Sequence, residues 1–532
     1  ILKRILMLAC IAWLLAACAN EQILPDENGS IIDLPPVVVV HDPSRTSQGQ
    51  HLPEQITHIP SYNIDLTINP DAMRINGVLR VDFVNTSNEP VDRIIFNMPL
   101  NAFRDEATRQ PFFTNFETRI FGGGRDFGYI DIMTATVNLV PSAFYVHDNI
   151  MGIWLQQTVP PGGSLDMGLV FEARIPSISH RTGANDYAMW LGNFLPSLAV
   201  LSDEGWHTYE YYRAGNPFFN QTSNFMVNIT TPPNFAIAST GTSATIRGDH
   251  ANSTTIEAVL VRDFAFAVLS DAYQVQRATS DEGVNISLFF NSISSQDNYT
   301  VQNILDTASA AFSYFTERIG ANPHNNFEIA EVRLFNVDTQ KYPGMSFVDL
   351  HHMRSPAIHN TIVRDIAHQW FFNVVGNNPV TEPWLSHGLA SFLALGFHMS
   401  DAHISAHIRR LHANLSATMY YMEHPELTRG LGYYQSWTDF RNIQHTRGMI
   451  FFYALQQEMG AAAFEEFLRA YYEQYAFRIA TASAMMDVAE RIHGYPLGNF
   501  FEQWANSPVL PELPELPELI DIDIDDPMWD IF

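Results

Sequence analysis

The sequence predicts an α+β protein of more than one domain, a β-rich first half followed by a mainly helical second half. Three observations lead there. At 532 residues and 60.1 kDa the chain exceeds what one hydrophobic core ordinarily organises. From about Ile56, apolar residues fall on alternate positions between turn formers, the period of half-buried strands. After about Tyr273 the apolar period lengthens to that of a helix, and glycine stop signals follow the apolar stripes.

The first element is "LKRILMLACIAWLLAAC", with Lys3 and Arg4 ahead of a short apolar run that ends in small residues and Cys18. It resembles a bacterial lipoprotein signal, with residues 1–18 removed or anchored and Cys18 lipidated. The run is shorter than the roughly 20 residues that span a bilayer. The expected location is therefore the bacterial cell envelope, lipid-anchored outside the cytoplasm, with the membrane as a partner through Cys18. Residues 19–55 are polar and Pro-rich without helical periodicity, as a linker would be.

Residues 56–272 form the predicted β-rich domain, in runs such as "YNIDLTINP", "INGVLRVDFVNTS" and "FMVNITTPP". Residues 273–508 form the predicted helical domain. There "TVQNILDTASAAFSYFTERIG" carries a helical stripe that stops at Gly320, and "NTIVRDIAHQWFFNVVG" puts Ile362, Ile366, Trp370 and Val374 on one row, with Val363, Ala367, Phe371 and Val375 on the next. Residues 509–532, "VLPELPELPELIDIDIDDPMWDIF", are an acidic low-complexity tail.

Charge and cysteine usage narrow the chemistry. Against 57 acidic residues stand 29 basic ones, a net charge of −28, so the chain repels phosphate backbones and nucleic acid is excluded as a partner. Both cysteines, Cys10 and Cys18, lie in the signal segment. The mature chain has no disulfide framework and no thiolate metal cluster, which leaves histidine and carboxylate as the only strong metal ligands.

The stretch "AHQWF...WLSHGLASF" is similar to "AHQWFGN...WLNEGFASY" of the aminopeptidase N family of zinc metallopeptidases, the gluzincins or peptidase family M-one. With "NGVLRVDFVN" and "FNMPLNAF" upstream, the chain resembles that family over nearly everything after the linker. The resemblance implies a β-rich N-terminal domain followed by a thermolysin-like domain. It also implies a zinc cofactor held by H-E-x-x-H and by a glutamate on the next helix, with the first glutamate activating the bound water.

Residue by residue, this chain departs from that pattern. Arg364 stands at the first zinc ligand, and a guanidinium has no lone pair for a metal, so it marks the loss of that ligand. Asp365 stands at the catalytic base, one methylene shorter. His368, the second ligand, is kept, and His387 stands at the third, with the 18 intervening residues of the family spacing. In "TQKYPGMSF", similar to the family's substrate-reading M-E-Y-P-G, Lys341 replaces the glutamate that holds a peptide's amino group; Tyr342, Gly344 and Met345 complete the candidate substrate-binding set. His445 takes the place of the transition-state tyrosine. Five of the six positions are substituted.

Two functions follow as expectations. One is a membrane-anchored pseudopeptidase whose interdomain cleft binds a peptide or an anionic ligand without hydrolysis. The other is a metallopeptidase with a rewired zinc site of His368, His387 and either Asp365 or His445. No motif names a protein partner.

Overall fold

The computed structural model describes residues 56, 58–105, 112–113, 117–121, 126–291, 298–335 and 337–513. Cys18, the linker 19–55 and residues 514–532 of the acidic tail lie outside them. No helix among the described residues is long and apolar enough to cross a membrane.

The β-rich half is built on an eight-stranded sheet. Its centre is the antiparallel pair Ser61–Asn69 and Arg74–Val84, flanked by Ser223–Thr231, which runs parallel to the first strand, and by Ser164–Arg174. Alternate side chains of these strands are buried, among them Tyr62, Ile64, Leu66 and Ile68, as their apolar alternation requires. Two four-stranded sheets and the short pair Val200–Ser202 and Gly205–His207 complete this half. One four-stranded sheet is centred on Ala188–Gly192 and Ala265–Ser270, the other on Val91–Asn97 and Ile150–Val159.

The second half does not open on helices. It opens on a five-stranded sheet in the order Gln274–Thr279, Asn285–Phe290, Asn326–Val332, Met345–Asp349 and Thr339–Tyr342. The two inner pairings are parallel, and Met345–Asp349 is buried at every position. A strand covered on both faces has no polar alternation, which is why periodicity alone misses it. The last strand, Thr339–Tyr342, is an edge.

Behind this sheet lie the helices α1 (Asn298–Ile319), α2 (Ile358–Trp370), α3 (Trp384–His398), α4 (Asp401–Met419), α5 (Gly448–Met459), α6 (Ala461–Tyr475) and α7 (Ala482–His493). The predicted rows of α2 are its core face as far as Trp370, with Ile362, Val363, Ile366, Ala367 and Trp370 buried against α1 and α3; the helix ends there, and Phe371, Val374 and Val375, expected to continue the rows, lie beyond it. The opposite side of the helix is free to carry polar groups.

Two devices fix the halves to each other. The first is an apolar layer in which Trp190, Ala265 and Leu269 of a four-stranded sheet meet Phe289, Met345 and Phe347 of the five-stranded one. The second is Arg262, a buried guanidinium that donates to the backbone carbonyls of Phe372 at 2.9 Å, Arg478 at 3.0 Å and Asn220 at 3.2 Å. Burial lowers its pKa to about 10. A Cβ at Gly376 would lie 2.1 Å from its guanidinium carbon, so glycine is required there. Arg262→Leu should leave three carbonyls without their donor and destabilise the chain by about 3 kcal/mol or more, read by urea unfolding.

Candidate functional site

Helix α2 brings Arg364 and Asp365 to the side of His368, since positions three and four residues apart share a face of a helix. This face looks toward the edge strand Thr339–Tyr342. Gln369, the residue after His368, sets the distance: its side chain donates to the carbonyl of Tyr342 at 3.2 Å and accepts from the amide of Gly344 at 2.8 Å. Gly344 has φ +63°, a left-handed turn that glycine adopts without strain. The glutamine and glycine of the recognised motifs thus lock the strand to the helix.

Helix α3 brings His387 to the same place. It crosses α5 so closely that a Cβ on Gly388 would sit 2.7 Å from the backbone of Gly448. The contact draws in the π-helical turn Arg441–Arg447, which carries His445. The rings of His387 and His445 lie 4.4 Å apart at 34°, and those of His368 and His387 5.5 Å apart at 76°. Arg447, at the far end of that turn, points away and is fully buried; it donates to the carbonyls of Pro425, Trp504 (3.0 Å) and Ser507 (2.6 Å) and ties down the end of the described chain.

The three histidines, Arg364 and Lys341 line one cavity of about 380 Å³. Gly215 and Asn216 are the contribution of the β-rich half; the other lining residues belong to the second half. Among its charged side chains are Lys341, Arg364, Arg410 and Arg441, against the single carboxylate of Asp338. Lys341 and Arg364 form no ion pair with a described residue. Burial lowers the Lys341 pKa to about 8; Asp365 opposes this shift and Arg364 adds to it. Burial also holds His368, His387 and His445 well below the usual histidine range, with Lys341 and Arg364 reinforcing it in each and neighbouring imidazoles in His368 and His445. All three are neutral imidazoles at pH 7.

Hydrogen bonding sets one tautomer. Nδ1 of His368 donates to the carbonyl of Phe371 at 3.2 Å, so its Nε2 carries a lone pair, buried and without a partner. Nδ1 of His387 and Nε of Arg364 are also buried without partners.

Three expectations change. Asp365 does not face the cavity as a base: its Oδ1 accepts from the hydroxyl of Thr339 at 3.1 Å and its Oδ2 from that of Ser346 at 2.6 Å. Tyr342 and Met345 are not placed to bind substrate, because both sit in the apolar layer between the halves. Tyr342 enters that layer where Gly192 leaves room, since a Cβ at Gly192 would meet its hydroxyl at 1.9 Å. Gly344 serves the turn and lines no part of the cavity. Of that set, Lys341 alone reaches the cavity.

Reading the motifs also passed over Phe372, which stands where "AHQWFGN" has its glycine. It keeps φ +129°, a conformation that a side chain makes costly, and it lines the cavity.

The family's zinc site is not reproduced by this donor set. Arg364 occupies the first ligand's position, both oxygens of Asp365 are taken, and two cations act on the remaining imidazoles. Among the described residues, no group of three His, Cys, Asp or Glu side chains is arranged to hold a metal.

The peptidase family M1 domain matches residues 349–504, the stretch that contains α2, α3 and the histidine-bearing turn. Over that stretch the chain is similar to aminopeptidase N-like members of the M1 family. It is 26% identical over 155 residues to aminopeptidase M1-D of rice, Oryza sativa subsp. japonica, and 27% over 178 residues to aminopeptidase RNPEPL1 of the mouse. Each match takes 28% of this chain and spans only 18% and 23% of those relatives' own length. The M1 zinc metallopeptidase of Deinococcus radiodurans has the same fold, with a TM-score of 0.59 at 14% identity over 87% of this chain and 96% of that one. A mutant of that enzyme bound to a Tyr-Ser-Ala substrate gives 0.60 at 16% identity, over 86% and 96% of the two chains. The M1 fold is therefore that of a β-rich domain followed by a mainly helical, thermolysin-like one.

Gly388→Ala should force α3 and α5 apart, costing about 1–3 kcal/mol in urea unfolding and separating the His387 and His445 rings. Acidification should have a defined onset. The unfolded histidines take up protons near pH 6.5 while the folded cluster does so only well below, so its contribution is complete above pH 6.5 and is lost as pH falls. Replacing His368, His387 and His445 together by glutamine should flatten the acid side of a stability–pH curve.

Proposed function

We propose that this protein is a lipid-anchored pseudopeptidase, which binds a ligand in its cavity and does not hydrolyse it. The observation that carries the reading is the state of α2. The position of the first metal ligand holds a cation, and the carboxylate at the position of the base is bound on both oxygens by Thr339 and Ser346. Hydrolysis on this fold needs a Lewis acid and a carboxylate free to take a proton from water. Lys341 adds a second cation where an amino group would have to sit, and like charges brought together disfavour that substrate. Anchoring through Cys18 would place the cavity outside the cytoplasm, within the bacterial envelope.

The rewired zinc site is the second reading, favoured by the bare Nε2 of His368 and Nδ1 of His387. Asp365 is removed from its ligand set by the two hydroxyls, which leaves His445 as the third donor.

Metal analysis separates the two. The purified chain should carry well below one zinc per molecule and release no amino acid from aminoacyl reporter substrates. Stoichiometric zinc that is lost in His368→Ala would sink the pseudopeptidase reading. The combined changes Arg364→His, Asp365→Glu, His387→Glu, Lys341→Glu and His445→Tyr should create zinc binding, because the α2–α3 spacing is retained.

A further inference from the structure

The cavity combines three features that a non-hydrolytic scaffold has no structural need for. Its charge opposes that of the molecule: four cationic side chains and one carboxylate line it, in a chain of net charge −28. Two of the cations, Lys341 and Arg364, are half-buried and lack an ion-pair partner among the described residues. With the carboxylates of Asp365 and Asp338 acting on Lys341 from beyond ion-pair contact, these charges are only partly compensated, so a ligand that supplies a closer counter-ion is favoured at that point.

Beside the cations stands an acceptor. Nε2 of His368 is buried, deprotonated and unpartnered, because Nδ1 holds the proton for Phe371. The ligand that satisfies both carries an anion and, close by, an N–H or O–H donor. A fatty-acid carboxylate has no such donor, and hydrogen phosphate has one but no apolar part. The last residue of a peptide has both, since its carboxylate and its amide N–H are on the same carbon.

The third feature is apolar. Phe372 is held at φ +129° and lines the cavity together with Leu395, Trp437, Phe440 and Met449. The edge strand Thr339–Tyr342 contributes Thr339, Gln340 and Lys341 to the same wall, and an unpaired strand edge is a template for extended backbone.

We propose that the cavity captures the C-terminal residue of a peptide with an apolar last side chain. Lys341 and Arg364 receive the carboxylate, His368 accepts from the adjoining N–H, and Phe372 with its apolar neighbours surrounds the side chain. The proposal rests on the pseudopeptidase reading, and it inverts the end of the peptide that is selected.

Calorimetric titration of the purified chain tests it with four probes: N-acetyl-alanyl-leucine as the free acid, the same compound as its C-terminal amide, octanoate and inorganic phosphate. The free acid should bind, with the amide and octanoate each weaker by about tenfold or more. Lys341→Gln and Arg364→Gln, checked for an intact thermal transition, should each weaken the acid by a similar factor and leave the amide where it was. Equal binding of acid and amide, no binding of the acid, or binding of inorganic phosphate in its place would overturn the proposal. Mass spectrometry on the same samples keeps the two readings apart. Release of leucine refutes the pseudopeptidase, whereas an intact peptide that fails to prefer its free carboxylate refutes only this inference.

Discussion

The arrangement of the site depends on a buried cation that is not part of it. Arg262 gives up its hydration in the interior and recovers it from three carbonyls in three separate segments, at Asn220, Phe372 and Arg478. Desolvating a guanidinium is costly enough that the bonds must hold together or fail together. One of the three carbonyls belongs to Phe372, the residue whose backbone turns α2 out of the core and whose ring lines the cavity. The joint between the halves and the shape of the cavity are thus one constraint. Arg447 repeats the device at the other end of the helical half, on the carbonyls of Pro425, Trp504 and Ser507.

That framework accounts for a fold that persists while five of the family's six chemical positions are changed. Besides His368, the family residues this chain keeps include Gln369, Trp370, Trp384 and the glycines of the turn and the helix crossing. Gln369 bonds the turn at Gly344, Trp370 donates to the carbonyl of Gly320 at 2.9 Å, and Gly388 admits α5. None of these tasks involves a metal. Four of the five residues it has changed, Arg364, Lys341, His387 and His445, line the cavity, and the fifth, Asp365, is turned onto Thr339 and Ser346.

Much of this was legible beforehand. The apolar rows of α2 and its spacing to His387 are local or nearly local patterns, and they placed the helix, its core face and the meeting of His368 with His387. The five-stranded sheet was not legible, because Met345–Asp349 is buried on both faces and lacks alternation. The orientation of Asp365 was hidden as well, since it is decided by Thr339 and Ser346, two residues far from it in sequence that meet it only through strand pairing. Tyr342 was misread for a related reason: its partner is Gly192, in the other half of the chain. Phe372 did leave a signal, an aromatic residue in the glycine place of a recognised motif, but its meaning lies in a backbone angle that letters do not show.

The two hydroxyls on Asp365 also decide what a single substitution can do to this helix. A carboxylate held at both oxygens is not turned toward the cavity by a change elsewhere on α2, and removing one hydroxyl leaves the other bond in place. Thr339 and Ser346 stand on two paired strands at the edge of the sheet, so the clamp moves only as that edge moves. The direction of this one side chain is therefore a property of the strand pair and not of the helix that carries it.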